Sequence, residues 1–262
     1  MTLRRRFKRW LYGSCPGFAG RFPYYGIQVY FPPKSESFYA ACQQGIFEAD
    51  IVRLMQKLAR PGTHVFDVGG NIGLMAAPVL QACSTCTVVS FEPSPNSLPY
   101  LRRTVSEGGC GERWVVVGRA LSDVAGELDF AVGDAKDSLY EGFRSADRIP
   151  SAHMVKVPVS TLDIEWGHLG RPNVSVMKID VEGAEKLVLD GGRELIDACR
   201  PHLIIEWVEQ YLKSFGTPAY DLLGFAQSTG YGIYAIPHGV PVTDAKSLRV
   251  QMLKCSNFLL AP

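Results

Sequence analysis

The stretch HVFDVGGNIG, residues 64–73, decides how the rest of this chain folds. An apolar run ends at Asp67, the glycines Gly69, Gly70 and Gly73 follow, and the helix-like segment LMAAPVLQA comes next. Glycine suits a tight turn because it lacks a Cβ that would bar positive φ or keep a ligand away from the backbone. We therefore predict a strand, a turn and a helix whose first N–H groups face a ligand at the end of the strand.

An acidic residue stands at the end of the next apolar run. Glu92 follows VVSF and lies 19 residues after Gly73. In βαβ nucleotide sites an acid at about this distance binds the two hydroxyls of a ribose. The two motifs together predict a nucleoside-containing ligand at the ends of the first two core strands.

Beyond these motifs the chain alternates between apolar runs and helix-like stretches. The strand candidates are THVFDV, CTVVSF, RWVVVGRAL, VSVMKIDV, HLIIEW, YGIYAI and SNFLLA. Such alternation predicts an α/β fold with a largely parallel sheet and helices on both faces. Ahead of the first strand, apolar residues at spacings of three and four predict one helix from Phe38 to Leu58.

An insertion of about residues 122–170 separates the third and fourth core strands. It holds two further strand candidates, GELDFAV and VKVPVSTLD, around a polar loop from Gly133 to Ser151. Because a long loop in a compact domain is usually functional, we expect a lid that closes over the ligand and can bring Ser138 to it.

Length and composition suit one large domain with an appendage. With 262 residues, 47% of them hydrophobic, we predict one large α/β domain over residues 38–262 after a basic arm and strand-like extension over residues 1–37. The sequence shows neither a run of about 18 apolar residues nor the apolar stretch of a secretory signal, so we expect a cytoplasmic protein. The seven cysteines are then expected to be reduced, with Cys83 and Cys86 as ordinary buried thiols.

The net charge of +1 hides an asymmetry between the arm and the body. Residues 1–35 carry seven Lys or Arg and no acid, which leaves 20 basic and 26 acidic residues in the rest of the chain. This mildly acidic body speaks against a nucleic-acid substrate. Residues 1–12 can contact an anionic membrane surface or a partner, or form a solvated terminus.

Several motifs taken together resemble the FkbM-type family of S-adenosylmethionine-dependent methyltransferases. They are DVGGNIG, FEPSPNSLPYL, ALSDVAGEL, TLDIEW, MKIDVEGAEKLVLDGG, PHLIIEW and the closing SNFLLAP. The resemblance implies a Rossmann-like class I methyltransferase fold, in which the last strand of a seven-stranded sheet runs antiparallel to the others. It also implies transfer of a methyl group from S-adenosylmethionine to a hydroxyl of a sugar, glycolipid or natural product, with S-adenosylhomocysteine as product.

The resemblance also assigns residues to the expected site. The cofactor would be held by Asp67, Gly69, Asn71, Gly73, Glu92, Asn96, Ala120 and Asp180. Within this set Glu92 corresponds to the ribose position and Ala120 to the adenine position, and Asp180 with Glu182 faces the methyl group and the acceptor. Gly70 departs from the family pattern, which usually has alanine there.

Other interpretations of the same residues stay open. Asp67 can cap a helix, Glu92 can be an exposed strand end, and Asp180 and Glu182 can be acids favoured at a helix N-terminus. A nicotinamide-dependent oxidoreductase would need glycine in place of Asn71, and a noncatalytic cofactor-binding interaction module would lack turnover. The histidines show no ligand spacing and the CxxC lacks a second pair, so we expect no metal.

Asp180 is the expected catalytic residue for a small-molecule or glycan acceptor. Ligands of open α/β sheets lie outside the carboxyl ends of the strands, and Asp180 ends the strand that neighbours the glycine-rich turn. It would receive the proton of the acceptor hydroxyl or orient that hydroxyl. Lys178, two residues earlier on the same strand face, can keep the carboxylate ionised.

Overall fold

The computed structural model describes residues 20–134, 141–142 and 152–262. Its strands are β1 (Arg21–Tyr24), β2 (Ile27–Tyr30), β3 (His64–Val68), β4 (Thr87–Phe91), β5 (Trp114–Val117), β6 (Ala120–Leu121), β7 (Gly126–Val132), β8 (His153–Ser160), β9 (Val174–Ile179), β10 (His202–Glu206), β11 (Gly232–Ala235), β12 (Val240–Val242) and β13 (Asn257–Ala261).

Helices connect most of these strands. They are α1 (Glu36–Gln44), α2 (Ala49–Leu58), α3 (Ala76–Ala82), α4 (Leu98–Glu107), α5 (Leu162–His168), α6 (Glu185–Asp190), α7 (Arg193–Cys199), α8 (Glu209–Ser214), α9 (Asp221–Thr229) and α10 (Ala245–Met252). None of the helices in the described ranges is both long enough and apolar enough to cross a membrane.

The main sheet confirms the predicted α/β class. Its order is β12-β11-β13-β10-β9-β3-β4-β5, with parallel pairing from β10 through β5. β13 lies antiparallel between β10 and β11, as the resemblance implies. The sheet of the described residues has eight strands where we expected seven, because the chain turns back after β11 and pairs β12 on its outer edge. An edge position tolerates Pro241, which a central strand would not.

Alternate side chains of the central strands pack against helices on opposite faces. Val65 and Val88 belong to one core with helix residues such as Met55, Val79 and Leu101. Phe66 and Val89 belong to a second core with helix residues such as Trp166, Val188, Leu195 and Leu222. Strands buried on both faces read as continuous apolar runs, which is the pattern of this sequence.

The single helix predicted from Phe38 to Leu58 is wrong, because the chain breaks between α1 and α2. Gly45 ends α1 with φ of 80°, and its N–H donates to the carbonyl of Ala41. Glu48, at φ of 44°, precedes the first residue of α2. The periodic apolar residues continue across the break, so periodicity alone could not reveal it.

Two strands of the insertion, β7 and β8, form a small sheet with β6, which directly precedes the insertion; the order is β6-β8-β7. β7 coincides with the predicted GELDFAV segment, and β8 pairs with it in antiparallel fashion. Of the expected lid, the described residues include Gly133, Asp134, Glu141 and Gly142; Ser138 and residues 143–151 lie outside the described part, as do residues 1–12. The lid and the membrane contact of the arm therefore stay predictions.

The expectation of reduced thiols at Cys83 and Cys86 is wrong in the structure, where the two form a disulfide. α3 ends at Ala82, and the turn that follows brings the two Cα atoms to 5.4 Å. The Arg113 guanidinium donates to the carbonyl oxygens of both cysteines, which holds the turn closed. Other cysteines that stay free thiols among the described residues include Cys110, Cys199 and Cys255.

Candidate active site

A cavity opens at the carboxyl ends of β3, β4, β9 and β10, where open α/β sheets bind their ligands. Its lining includes six of the residues that the sequence assigns to the site: Gly69, Asn71, Glu92, Ala120, Asp180 and Glu182. Two short loops form its floor. We call residues 69–73 the glycine loop and residues 180–184 the acidic loop.

The glycine loop follows β3 and lies against the acidic loop. Gly69 has φ of +85°, and a Cβ at this position would stand 1.9 Å from the carbonyl oxygen of Asp180. Asn71 has φ of 46°, a left-handed conformation that asparagine adopts more readily than most residues. The close approach of the two backbones therefore requires glycine at position 69.

Glu92 binds the backbone of the glycine loop and faces the cavity. Its Oε2 accepts from the Asn71 N–H at 2.7 Å and its Oε1 from the Ser94 N–H at 2.8 Å. Burial raises the pKa of this carboxyl to about 7, against the opposing effect of the two N–H donors. Each oxygen has a second lone pair, so Glu92 can still accept hydrogen bonds from ligand hydroxyls.

Three of the predicted residues stand outside the cavity wall. Asp67 is fully buried beneath it; its Oδ1 has no hydrogen-bond partner among the described residues, and burial raises its pKa. A Cβ at Gly73 would stand 2.5 Å from the Trp114 ring, so this glycine permits packing inside the protein. Asn96 donates to Glu141 and to the carbonyl of Gly133, and thereby holds the insertion against the loop after β4.

The acidic loop repeats the device of the glycine loop. Glu182 and Gly183 have φ of 60° and 111°. Glu185 is buried, and its Oε1 accepts from the N–H groups of Val181 and Gly183 at 3.0 and 3.1 Å. Burial raises the pKa of Glu185 to about 7. The loop is therefore held by a glutamate that lies outside the cavity lining.

Asp180 begins the acidic loop and forms an ion pair with Lys178. The Asp180 Oδ2 and Lys178 Nζ atoms lie 2.8 Å apart, and the lysine side chain is 5% exposed. Burial opposes the charge of Lys178, but the carboxylates of Asp180, Asp67 and Glu48 outweigh it and raise its pKa. The pairing predicted from the strand pattern is thus confirmed.

Glu206 adds a third carboxylate to this end of the cavity. One carboxylate oxygen from each of Asp180, Glu182 and Glu206 lies within 4.8 Å of the other two. Like charges this close destabilise one another unless a proton or a cation stands among them. Burial, and then the neighbouring acids, raise the pKa of Glu206 well above its usual range.

Sequence reasoning missed several residues of the cavity wall. Ser37 donates to the side chain of Asn71 at 2.9 Å, and Glu48 approaches from the break between α1 and α2. Glu141 of the insertion accepts from Ser94, Asn96 and the Gly133 N–H. For Glu206 the signal was available, since it ends an apolar strand in PHLIIEW as Glu92 ends one in VVSFE.

The cavity therefore offers two chemically different ends. At the Glu92 end, hydrogen-bonding groups fixed by the backbone suit a ligand with neighbouring hydroxyls. At the Asp180 end, three carboxylates and one lysine leave an excess of negative charge that suits a cationic or neutral hydroxyl-bearing group.

Comparison with known proteins gives the following matches. The model of the Methyltransferase FkbM domain matches residues 67–231. The 2-O-methyltransferase NoeI of Sinorhizobium fredii is 26% identical over 191 residues, which cover 67% of this chain and 76% of that protein. The hexuronic acid methyltransferase AglP of Haloferax volcanii is 32% identical over 151 residues, which cover 55% of this chain and 56% of that protein.

Among solved structures, the methyltransferase FkbM of Methylobacillus flagellatus aligns with a TM-score of 0.48 at 17% identity. That alignment covers 86% of this chain and 53% of the other, so the chain spans about half the length of that protein.

Proposed function

Because this chain belongs to the family of FkbM-domain methyltransferases, we propose that it transfers a methyl group from S-adenosylmethionine to a hydroxyl of a neutral sugar unit. The observation that carries the proposal is that Glu92 and the carboxyl groups of Asp180 and Glu206 line the same cavity. One end can hold a nucleoside and the other a hydroxyl acceptor.

The residues at the first end fit the donor. Glu92 would accept hydrogen bonds from the ribose hydroxyls with the lone pairs that Asn71 and Ser94 leave available. The glycine loop would pass against the methionine portion, since the Gly69 and Asn71 backbones line the cavity. Ala120 and Phe130 provide apolar wall for the adenine.

At the second end the protein acts mainly by positioning. The bound donor supplies an electrophilic methyl group on a sulfonium. Asp180, paired with Lys178, would accept a hydrogen bond from the acceptor hydroxyl and align its oxygen with the methyl carbon. Alignment of this kind can lower a barrier by several kcal/mol without further chemistry from the enzyme.

The charge of this end selects the acceptor. The names of the two relatives specify a 2-O position in one and a hexuronic acid in the other. Even with a proton on Glu206, the carboxylates of Asp180 and Glu182 outnumber the one ammonium of Lys178 and would repel a hexuronate carboxylate, whereas all three carboxyl groups can accept hydrogen bonds from neutral hydroxyls. We therefore expect a neutral glycoside to be methylated in preference to an anionic one.

Transfer of labelled methyl from S-adenosylmethionine tests the proposal. The acceptors are the methyl glycosides of glucose, mannose, galactose and glucuronic acid, presented separately at equal concentration. We expect alkali-stable label, as in an ether, on at least one neutral glycoside. Label that alkali removes from the glucuronide would indicate an ester and contradict the hydroxyl assignment. Tighter binding of NADH than of S-adenosylhomocysteine would contradict a methyl donor altogether.

A further inference from the structure

Glu206 stands level with Asp180 in the main sheet. β10 pairs in parallel with β9, and Ile205 is the register partner of Ile179, so the next residue of each strand comes side by side. Both side chains line the cavity. An acceptor hydroxyl that contacts Asp180 therefore also lies close to Glu206.

The two carboxylates differ in what they already bind. Asp180 Oδ2 already accepts a hydrogen bond from the Lys178 ammonium at 2.8 Å, which orients this carboxylate. Glu206 Oε2 is buried and has no hydrogen-bond partner among the described residues. A buried acceptor atom without a partner is uncommon in folded proteins and is usually explained by a ligand or by function.

We propose that Glu206 is the catalytic residue that takes the proton of the acceptor hydroxyl, while Asp180 orients that hydroxyl. This inference rests on the proposed function. As the acceptor oxygen forms its bond to the methyl carbon, the carbon–sulfur bond breaks and its electron pair stays with sulfur. The hydroxyl proton moves to the Glu206 carboxylate, which becomes a carboxylic acid and keeps the proton until the next donor binds, when the proton passes to water.

The charges around Glu206 couple this step to donor binding. The groups that act on it are Asp180, Glu182, Glu185 and Lys178. Burial and the three acids raise its pKa and Lys178 lowers it, so the side chain holds a proton in the free protein at neutral pH. A sulfonium placed in the cavity adds a positive charge, which favours the ionised form. Binding of the cationic donor should therefore release a proton from Glu206, and binding of the uncharged product thioether should release fewer.

Calorimetry measures this release without any turnover. Binding of S-adenosylmethionine and of S-adenosylhomocysteine is followed at pH 7.5 in buffers of different ionisation enthalpy. We expect wild type to release more protons with the sulfonium than with the thioether, and Glu206→Gln to lose that difference. Glu209→Gln is the matched control, because Glu209 is an exposed residue of α8 that pairs with Lys213. S-adenosylhomocysteine affinity within about threefold of wild type in both variants would show that they fold.

Turnover gives the second readout, with whichever neutral glycoside wild type methylates. Glu206→Gln should lower kcat by about 100-fold or more and leave the KM for the donor within about threefold. Glu206→Asp should recover part of the rate, and Glu209→Gln should retain all of it.

Three results would overturn the inference while leaving the proposed function intact. They are full turnover in Glu206→Gln, an unchanged proton release in that variant, or wild-type activity that EDTA abolishes and Mg²⁺ restores. The last would mean that the carboxylates share a cation. If wild type neither bound S-adenosylmethionine nor transferred its methyl group, the proposed function would fail first and the inference with it.

Discussion

The glycine loop and the acidic loop are built by the same backbone device and put to different uses. Each follows a parallel strand, each contains left-handed residues, and each is held by a buried glutamate: Glu92 accepts one N–H of its loop and that of Ser94, and Glu185 accepts two from its loop. Glu92 faces the cavity, whereas Glu185 lies outside its lining. At the glycine loop, the glutamate that holds the loop, Glu92, itself faces the ligand. At the acidic loop, Glu185 holds the backbone, and Asp180 and Glu182 face the cavity instead.

Lys178 pairs with Asp180 of the acidic loop and interacts electrostatically with Asp67, which precedes the glycine loop, so its removal should have the largest effect. Lys178→Met leaves the fully buried Asp67 carboxyl and the partly buried Asp180 carboxylate without their cation, which we expect to cost about 3–5 kcal/mol in the free energy of unfolding. Urea denaturation measures it. Lys186→Met, which breaks the partly exposed pair with Asp190, should cost less than about 1 kcal/mol. Equal losses in the two variants would mean that the buried charge of Lys178 contributes no more to stability than that of a partly exposed pair.

Glu92→Ala should weaken donor binding selectively. The substitution removes the charge-assisted hydrogen bonds to the ribose, so we expect S-adenosylhomocysteine affinity to fall by about 100-fold or more, equivalent to about 3 kcal/mol. Calorimetric titration checks this, with the exposed Glu112→Ala variant as control. If Glu92→Ala bound S-adenosylhomocysteine as tightly as wild type, Glu92 would not bind the ligand, and the proposed difference between Glu92 and Glu185 would be wrong.

The two clamping glutamates should contribute alike to the pH dependence of stability. Folding raises the pKa of both Glu92 and Glu185 from 4.5 to about 7, so between these values the folded state binds more protons than the unfolded state. The contribution of these two groups to the free energy of unfolding is therefore fully present below pH 4.5. It is lost as the pH rises to about 7, by at most about 3 kcal/mol for each group. Glu92→Gln and Glu185→Gln should each flatten this fall in urea denaturation between pH 5 and pH 8. If only one variant does so, the two loops are not equivalent in construction.

Much of the first loop and less of the second could be predicted from the sequence. The glycine loop lies within ten consecutive residues, and Glu92 follows at a spacing fixed by one helix. The acidic end gathers Asp180 and Glu206 from separate strands and Glu48 from a break that periodicity hides. Glu141 of the insertion joins the other end, where it binds Ser94 and Asn96. Glu92 faces the cavity, whereas Asp67 is buried beneath it. The two look alike in the sequence, because each is an acidic residue at or near the end of an apolar strand. Tertiary packing decides between the two.

The smallest effect concerns the attachment of the insertion beside the first loop. Asn96→Ala removes two hydrogen bonds, to Glu141 and to the Gly133 carbonyl, at a cost of about 1 kcal/mol. We expect the Gly133 amide, which donates to Glu141, to exchange about fivefold faster with solvent hydrogen. The Val65 amide in the core of the same variant serves as internal control and should be unchanged. Equal exchange at Gly133 in variant and wild type would show that Asn96 does not hold the insertion.

A crystal structure of the protein with S-adenosylhomocysteine tests the division of the cavity most directly. The ribose hydroxyls should bind Glu92, and the sulfur should face the carboxylates of Asp180 and Glu206. A ligand bound elsewhere, or one whose sulfur points away from the acidic loop, would contradict the assignment of donor and acceptor ends.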